Sequence, residues 1–297
     1  MKIASETDYE HLQALWADLE SGLGIILTHP EKTSHFVQRV QQYAVWMEGL
    51  LAQDTDVGLY ILFQLAGNSA VGYSTGHALI CSVLAHLTAE QLGMKPADRI
   101  ALIHAALTMN VSMTTQQDTL AVQVENPTPE QSRIISHHAS RSAAMLRVMG
   151  VEDPMWLHLV EKHHQDLPND LLLSILNAVD RYAAMISPRS YRPGRSAVES
   201  IRAIRNTIGF VLVRAVGVYP PGTYVQLTSQ ELAVVIRRTG PNSHPDVVII
   251  STPEGETLAQ PRLHATKDLP VIQSALPASL VRVRIRHFQI LQLFPAT

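Results

Sequence analysis

The sequence contains very little cysteine and no surplus of positive charge. Cys81 is the only cysteine among 297 residues, so the chain cannot form an internal disulfide, which fits a reducing compartment. The formal net charge of −3 gives no electrostatic reason to expect nucleic acid or an anionic membrane as a partner. The composition is otherwise that of an ordinary globular protein, with 46% hydrophobic and 16% charged residues.

Long hydrophobic runs are missing as well. No uninterrupted apolar run approaches the roughly 20 residues that a membrane-spanning helix needs. The first residues, MKIASETDYE, have acids where a signal peptide would be apolar. The sequence therefore predicts a cytoplasmic protein that does not associate with a membrane.

Most of the chain is patterned as amphipathic helices. Leu12, Leu15 and Leu19 follow one another at intervals of three and four, which is one face of a 3.6-residue period. Pro129 and Pro154 stand where first-turn prolines are tolerated. The same period predicts further helices over residues 35–51, 76–94, 97–111, 129–150, 154–164, 170–186 and 196–208.

The period changes after about residue 215. Short β-branched segments are separated by Pro-Pro-Gly, Gly-Pro-Asn and Pro-Glu-Gly turn signals. They predict strands over residues 223–229, 232–238, 246–252 and 280–288, the last with Arg282, Arg284 and Arg286 on one solvated face. We predict a mainly α protein with an N-terminal helical extension (1–72), a helical domain (73–214) and a small antiparallel β subdomain (215–297).

Histidines are concentrated in the predicted helices. Asp180 ends the apolar run LLLSILNAV, where a carboxylate is costly unless it is paired or bound to metal. Imidazoles and a carboxylate suit zinc, iron or manganese, and helix bundles often build such sites. None of the short zinc motifs is present, so spacing alone leaves a metal site and structural histidines equally open. The histidines are His77, His86, His104, His137, His138, His158, His163 and His164.

Several blocks between residues 73 and 214 occur in a family order. They are GHALICSVL, ALIHAALTMNVSM, IISHHASRSAAML, LVEKHHQ and AVDRYAAMISPRSYRP. Together they resemble the HD-GYP family of the HD superfamily of metal-dependent phosphohydrolases, and VGVYPPGTYVQLTSQELAVVI resembles its short β extension. The resemblance implies an HD-type helical bundle. It also implies a phosphodiesterase that opens cyclic di-GMP with two or three iron or manganese ions.

The resemblance also implies a set of metal ligands, which we expect to converge on one cavity. These residues are His77, His138, His163, His164 and Asp180. Two arginines match a basic stretch near the family's substrate site, Arg189 and Arg192, where they could pair with phosphate. An equally open alternative is that they interact with backbone carbonyls and carboxylates at a helix end.

The chain departs from the family at its signature. Met109 and Asn110 stand where the family has its His-Asp dipeptide, and Met113 replaces the lysine that follows. The DGxGYP loop is shortened to DLPND, residues 166–170. Because a neutral asparagine cannot bridge two cations and a thioether is a poor ligand for hard or borderline ions, the resemblance implies a degenerate site.

The remaining ligands divide unequally between the family's two metal positions. One position keeps only His77 and Asp180, which could form an ion pair without metal. The other keeps His138, His163 and His164, and three imidazoles can hold one divalent ion. We therefore expect no metal or a single ion of iron, manganese or zinc.

Three functions follow from this pattern. The first is a catalytically weak or inactive binding or regulatory module in bacterial cyclic di-GMP signalling, with cyclic di-GMP or a signalling protein as partner. The second is a metal-dependent phosphodiesterase or phosphohydrolase that uses one retained ion. The third is a structural interaction module. All three functions are compatible with a homodimer.

Overall fold

The computed structural model of the protein describes residues 6–65, 71–165, 167, 169–190, 192–204, 207–240, 244–283 and 286–294. As predicted, they form a mainly α-helical body followed by a small antiparallel sheet. The helices are α1 (Glu6–Thr28), α2 (Phe36–Gln53), α3 (Thr55–Leu65), α4 (Tyr73–Gln91), α5 (Pro96–Thr108), α6 (Thr114–Val122), α7 (Pro129–Val148), α8 (Pro154–Lys162), α9 (Leu171–Ile186), α10 (Ala197–Ala203), α11 (Thr207–Val216) and α12 (His287–Leu291). The strands are β1 (Tyr224–Leu227), β2 (Leu232–Arg237), β3 (Asp246–Ser251), β4 (Thr257–Ala265) and β5 (Ile272–Leu276). No helix in these ranges has both the length and the apolar character that crossing a bilayer requires.

Helix α4 lies at the centre of the helical body. Nearly every residue from Ser74 to Ala89 is buried, and the helix packs against α1, α5, α9 and α11. A helix that is apolar on all sides needs neighbours on all sides, which explains this enclosed position. Its first turn is fixed by Asp118 of α6, which accepts hydrogen bonds from the Ser74 backbone N–H at 2.7 Å and hydroxyl at 3.0 Å.

Caps fix the ends of the helices that carry the histidines. Thr128 and Gln131 form a capping box at the start of α7, and Asp153 caps α8. Pro129 and Pro154 occupy first-turn positions, as predicted. These caps satisfy backbone N–H groups that a helix leaves without internal partners.

The C-terminal sheet has the strand order β4-β3-β2-β1-β5, and all of its neighbours are antiparallel. The predicted strands over residues 223–229, 232–238 and 246–252 are confirmed as β1, β2 and β3. The predicted strand over residues 280–288 is wrong, because a 3₁₀ turn spans Ala278–Leu280 and α12 begins at His287. Arg284 of that segment lies outside the described residues. The single helix predicted over residues 196–208 is two helices, α10 and α11.

A buried ion-pair network joins the sheet to the corner between α2 and α3. Arg237 of β2 donates to both carboxylate oxygens of Asp54, at 2.9 and 3.0 Å. Its neighbour Arg238 pairs with Asp56. The side chains of Asp54 and Asp56 are only 5% and 6% exposed, so their charges depend on these arginines.

Replacing Arg237 with alanine is expected to lower the free energy of unfolding by about 3–5 kcal/mol, because Asp54 would remain buried without its bidentate partner. Urea denaturation measures this loss. The matched control is Arg147→Ala, whose guanidinium is 51% exposed in its pair with Glu161 and should contribute about 0–1 kcal/mol. Equal losses in the two variants would show that the network does not anchor the sheet.

Candidate metal centre

Three histidines meet where the end of α8 lies against α7. Nε2 of His138, on α7, is 3.1 Å from Nε2 of His163 and 3.2 Å from Nε2 of His164. His138 and His163 are buried, whereas His164 is exposed. His163 is the residue at which α8 ends, so the pair of histidines follows directly from the helix boundary. We call these residues the three-histidine cluster.

Backbone hydrogen bonds fix which nitrogen of each buried ring faces the cluster. Nδ1 of His138 donates to the Ile135 carbonyl at 2.6 Å, and Nδ1 of His163 donates to the Val160 carbonyl at 2.8 Å. In neutral imidazoles both Nε2 atoms are then unprotonated. Two lone pairs therefore face each other across 3.1 Å, an arrangement that is repulsive unless a cation lies between them or one ring carries a proton.

The surroundings disfavour the proton. Burial, and next the neighbouring His164, lower the pKa of His163 to about 4. Burial also lowers the pKa of His138. Both rings are therefore neutral near pH 7, the state in which imidazole binds metal.

The spacing of the three nitrogens fits a metal ion. Nitrogens bound tetrahedrally to zinc at about 2.0–2.1 Å lie roughly 3.3 Å apart, close to the two distances measured from His138. All three ligand atoms lie within 4.8 Å of one another. The residues present therefore suit one divalent ion with imidazole ligands, and the exposed position of His164 leaves one side open to solvent.

A second group of ligand atoms joins α4 to α9. His77 Nε2 donates to Asp180 Oδ1 at 2.9 Å, and Cys81 Sγ lies 3.5 Å from the same nitrogen. All three ligand atoms again lie within 4.8 Å of one another. We call these residues the His-Cys-Asp cluster. Sequence reasoning used Cys81 only to exclude an internal disulfide, and the sign that could have found it is its position four residues after His77, on the same face of α4.

Charges in the second cluster are strongly perturbed. Burial by itself raises the pKa of Asp180, but the hydrogen bond from His77 and the positive charge of nearby imidazoles lower it to about 2. Burial and the Asp180 carboxylate hold the pKa of the Cys81 thiol well above its usual value. Asp180 also acts electrostatically on His163, so the two clusters are near neighbours.

The two arginines expected near a substrate differ in their surroundings. Arg189 donates to the Tyr73 hydroxyl at 2.9 Å, and the Tyr73 ring stacks on His77 with centroids 5.6 Å apart. Arg192 instead donates to the carbonyls of Ala184 and Met185, near the end of α9. Arg189 thus lies beside the His-Cys-Asp cluster, whereas Arg192 satisfies carbonyls at a helix end.

The residues that the resemblance aligns with the family's signature lie in the turn after α5. Met109 and Met113 are buried, with 1% and 7% of their surfaces exposed, and Asn110 is half-buried. The Ser112 hydroxyl, in the same turn, donates to the backbone carbonyl of His138 at 3.0 Å. This turn therefore contacts the backbone of the three-histidine cluster. Met109 and Met113 contribute buried apolar side chains to it.

The other histidines of the sequence pattern have structural surroundings. His86 lies between Glu48 and Glu90, and His158 pairs with the cap residue Asp170. The His104 ring packs at a tilt against Trp156, with ring centroids 4.7 Å apart, beside a separate cleft of about 960 Å³. The exposed His137 bonds the Arg133 carbonyl within its own helix.

The five residues expected to converge therefore meet as two neighbouring clusters. In the segment DLPND, residues 166–170, Asp166 and Pro168 lie outside the described residues. Asp170 closes the loop and caps α9 by accepting a hydrogen bond from the Leu173 backbone N–H at 3.0 Å. The short loop thus leads directly from the histidine pair into α9, which carries Asp180.

One known protein matches part of the chain. A cyclic di-GMP phosphodiesterase of Pseudomonas aeruginosa is 39% identical over 77 residues, which cover 23% of this chain and 19% of that protein. The match thus spans about a fifth of the relative's length. It supports a place in the HD-GYP superfamily and nothing finer. No family model and no solved structure matches the chain.

Proposed function

We propose that the three-histidine cluster holds one divalent metal ion and that the protein is a binding or regulatory module of bacterial cyclic di-GMP signalling. The observation that carries the metal assignment is the pair of facing Nε2 atoms of His138 and His163, 3.1 Å apart. Both Nδ1 atoms are already committed to carbonyls. A metal ion relieves the repulsion between the lone pairs and supplies Lewis acidity at the open side, next to His164.

The signalling role is supported by the partial match to a cyclic di-GMP phosphodiesterase. We further propose that residues 73–214 form the HD-type unit, between the helices of residues 1–72 and the sheet region of residues 215–297. The position of Arg189, beside Tyr73, supports a role in binding a phosphate group of the ligand. Arg192 has its guanidinium on helix-end carbonyls and would have to leave them to act in the same way.

Weak or absent hydrolysis follows from the turn after α5. Opening a phosphodiester with two metals relies on a bridging anion that holds the ions and polarises the attacking water. Asn110 offers no negative charge there. Met113 cannot offset the charge that develops on phosphate in the transition state. The same absence of charge suits the buried positions of Met109 and Met113, because an unpaired buried charge is costly.

Cyclic di-GMP is expected to bind the metal-loaded protein but to be hydrolysed far below ordinary enzyme rates of about 1–10³ per second. Equilibrium binding and product chromatography, with manganese, iron or zinc supplied, measure the two properties. Arg189→Ala is expected to weaken binding, and exposed Arg141→Ala, on the outer surface of α7, is the matched control.

Turnover at ordinary rates that is lost in His164→Ala would favour the second candidate, a hydrolase with one metal. The exposed position of His164, which leaves a coordination position open to water as in catalytic zinc sites, is the observation in its favour. If the protein binds no cyclic di-GMP, with or without metal, the signalling role is contradicted. The metal assignment is tested separately, by metal titration.

A further inference from the structure

The His-Cys-Asp cluster has the spacing of a metal site in its own right. Ligands arranged tetrahedrally around zinc lie about 3.6 Å apart for a nitrogen and a sulfur, and about 3.3 Å apart for a nitrogen and an oxygen. The corresponding distances are 3.5 Å from His77 Nε2 to Cys81 Sγ and 2.9 Å from the same nitrogen to Asp180 Oδ1. Two of the three separations are therefore within about 0.4 Å of those an ion imposes, and the sulfur and the carboxylate oxygen lie within 4.8 Å of each other.

The charges of this cluster also suit a divalent ion. A thiolate and a carboxylate together carry two negative charges, which cancel those of the ion and leave a neutral assembly. Neutrality matters because His77 and Cys81 are 3% and 0% exposed, and an uncompensated charge is costly at such a site. The three-histidine cluster, in contrast, supplies only neutral ligands.

A metal-free ion pair between His77 and Asp180 is the competing account of this cluster. It explains the hydrogen bond of 2.9 Å but gives the sulfur no partner beyond that ring and a distant carbonyl, Val179 O at 3.9 Å. The two accounts differ in whether Cys81 remains a thiol or binds a metal ion as a thiolate.

We propose that Cys81 completes a second metal position, in which its thiolate, the imidazole of His77 and the carboxylate of Asp180 bind one ion. As the ion binds, the thiol proton is released to solvent, and the proton that His77 Nε2 donates to Asp180 moves to Nδ1 or is also released, because the ion takes the Nε2 lone pair. Thiolate is a soft ligand, so this position should take zinc or cobalt in preference to manganese. The proposal extends the proposed metal function but does not depend on an ion at the three-histidine cluster. It replaces the expectation of a single ion per chain with two.

Cobalt(II) added to the chelator-treated full-length protein tests this proposal. We expect about two cobalt ions per chain and a thiolate-to-cobalt charge-transfer band in the near ultraviolet. Cys81 is the only cysteine, so the band reports on this residue alone. It should disappear in Cys81→Ala, with a stoichiometry of about one, and persist in His164→Ala, which damages only the three-histidine cluster. Manganese should not protect the second position from cobalt.

Cobalt bound without a thiolate band, or no cobalt in wild type and His164→Ala alike, would overturn the proposal in favour of the ion pair. Cys81 is fully buried, so its replacement could impair folding. X-ray absorption of the zinc-loaded wild-type protein avoids that difficulty. We expect a sulfur at the zinc–thiolate distance of about 2.3 Å, and its absence would contradict the proposal. If only the three-histidine cluster fails to bind metal, the thiolate band of Cys81 should remain. The failure of the proposed function can therefore be told apart from the failure of this proposal.

Discussion

Replacing His163 with alanine is expected to weaken metal binding at the three-histidine cluster by more than the roughly 10–100-fold typical of losing a residue that only supports a ligand. The variant removes one of three nitrogen donors, and it separates His138 from the partner that faces it at 3.1 Å. Manganese titration is the preferred measurement, because this ion avoids the thiolate of the second cluster.

Two further variants make this result specific. His164→Ala removes an exposed ligand and should weaken binding with little cost to folding. His137→Ala, the neighbour of His138 on α7, removes an exposed imidazole that bonds only within its own helix, and it should leave the affinity unchanged. If all three variants bind manganese as wild type does, the three-histidine cluster is not a metal site.

Acid is expected to destabilise the metal-free protein through His163. Its pKa is about 4 in the folded protein, below the value of about 6.5 for an unfolded chain. Between these two values the unfolded state binds a proton that the folded state does not, so stability falls as the pH falls from about 6.5 to about 4. A difference of about 2.5 pH units corresponds to a loss of about 3 kcal/mol.

Urea denaturation of chelator-treated protein at pH 7 and at pH 4 measures this loss. His163→Asn removes the titrating group while keeping a polar side chain, so its stability should depend less on pH over the same range. The depressed pKa of Asp180, about 2, also makes stability fall as the pH drops below about 5, but both proteins keep Asp180, so this contribution cancels in their comparison. Parallel pH profiles for wild type and His163→Asn would contradict the prediction.

Periodicity predicts the interior elements of this fold better than its edges. The strands found from sequence, β1 to β3, are the central ones of the sheet, whereas β4 and β5, which were missed, are its two edges. β4 is largely solvent-accessible and contains Pro261, which is tolerated at an edge but weakens a strand pattern. The wrongly predicted strand over residues 280–288 has real alternation, but the chain instead turns into α12.

The candidate site, like the fold, was predicted only in part from the sequence. The three histidines of the three-histidine cluster, His77 and Asp180 were expected from family resemblance as candidate ligands, and the structure brings them together as two clusters. Cys81 was missed because its position four residues after His77 does not by itself show that this face of α4 meets Asp180. That information lies in the packing of α4 against α9, a contact between residues about 100 positions apart. The backbone bonds that fix the tautomers of His138 and His163 are equally invisible in the sequence.

The enclosed position of α4 also limits how the chain can be divided. The helix that carries His77 and Cys81 is covered on one side by α1 and α2, and the hydroxyl of Thr114, at the start of α6, donates to the Leu27 carbonyl of α1 at 3.0 Å. A shortened chain that began near residue 73 would leave one side of α4 in water. The N-terminal helices carry none of the candidate ligands, but they cover one side of the helix that holds two of them, so they cannot be exchanged independently of the candidate metal centre.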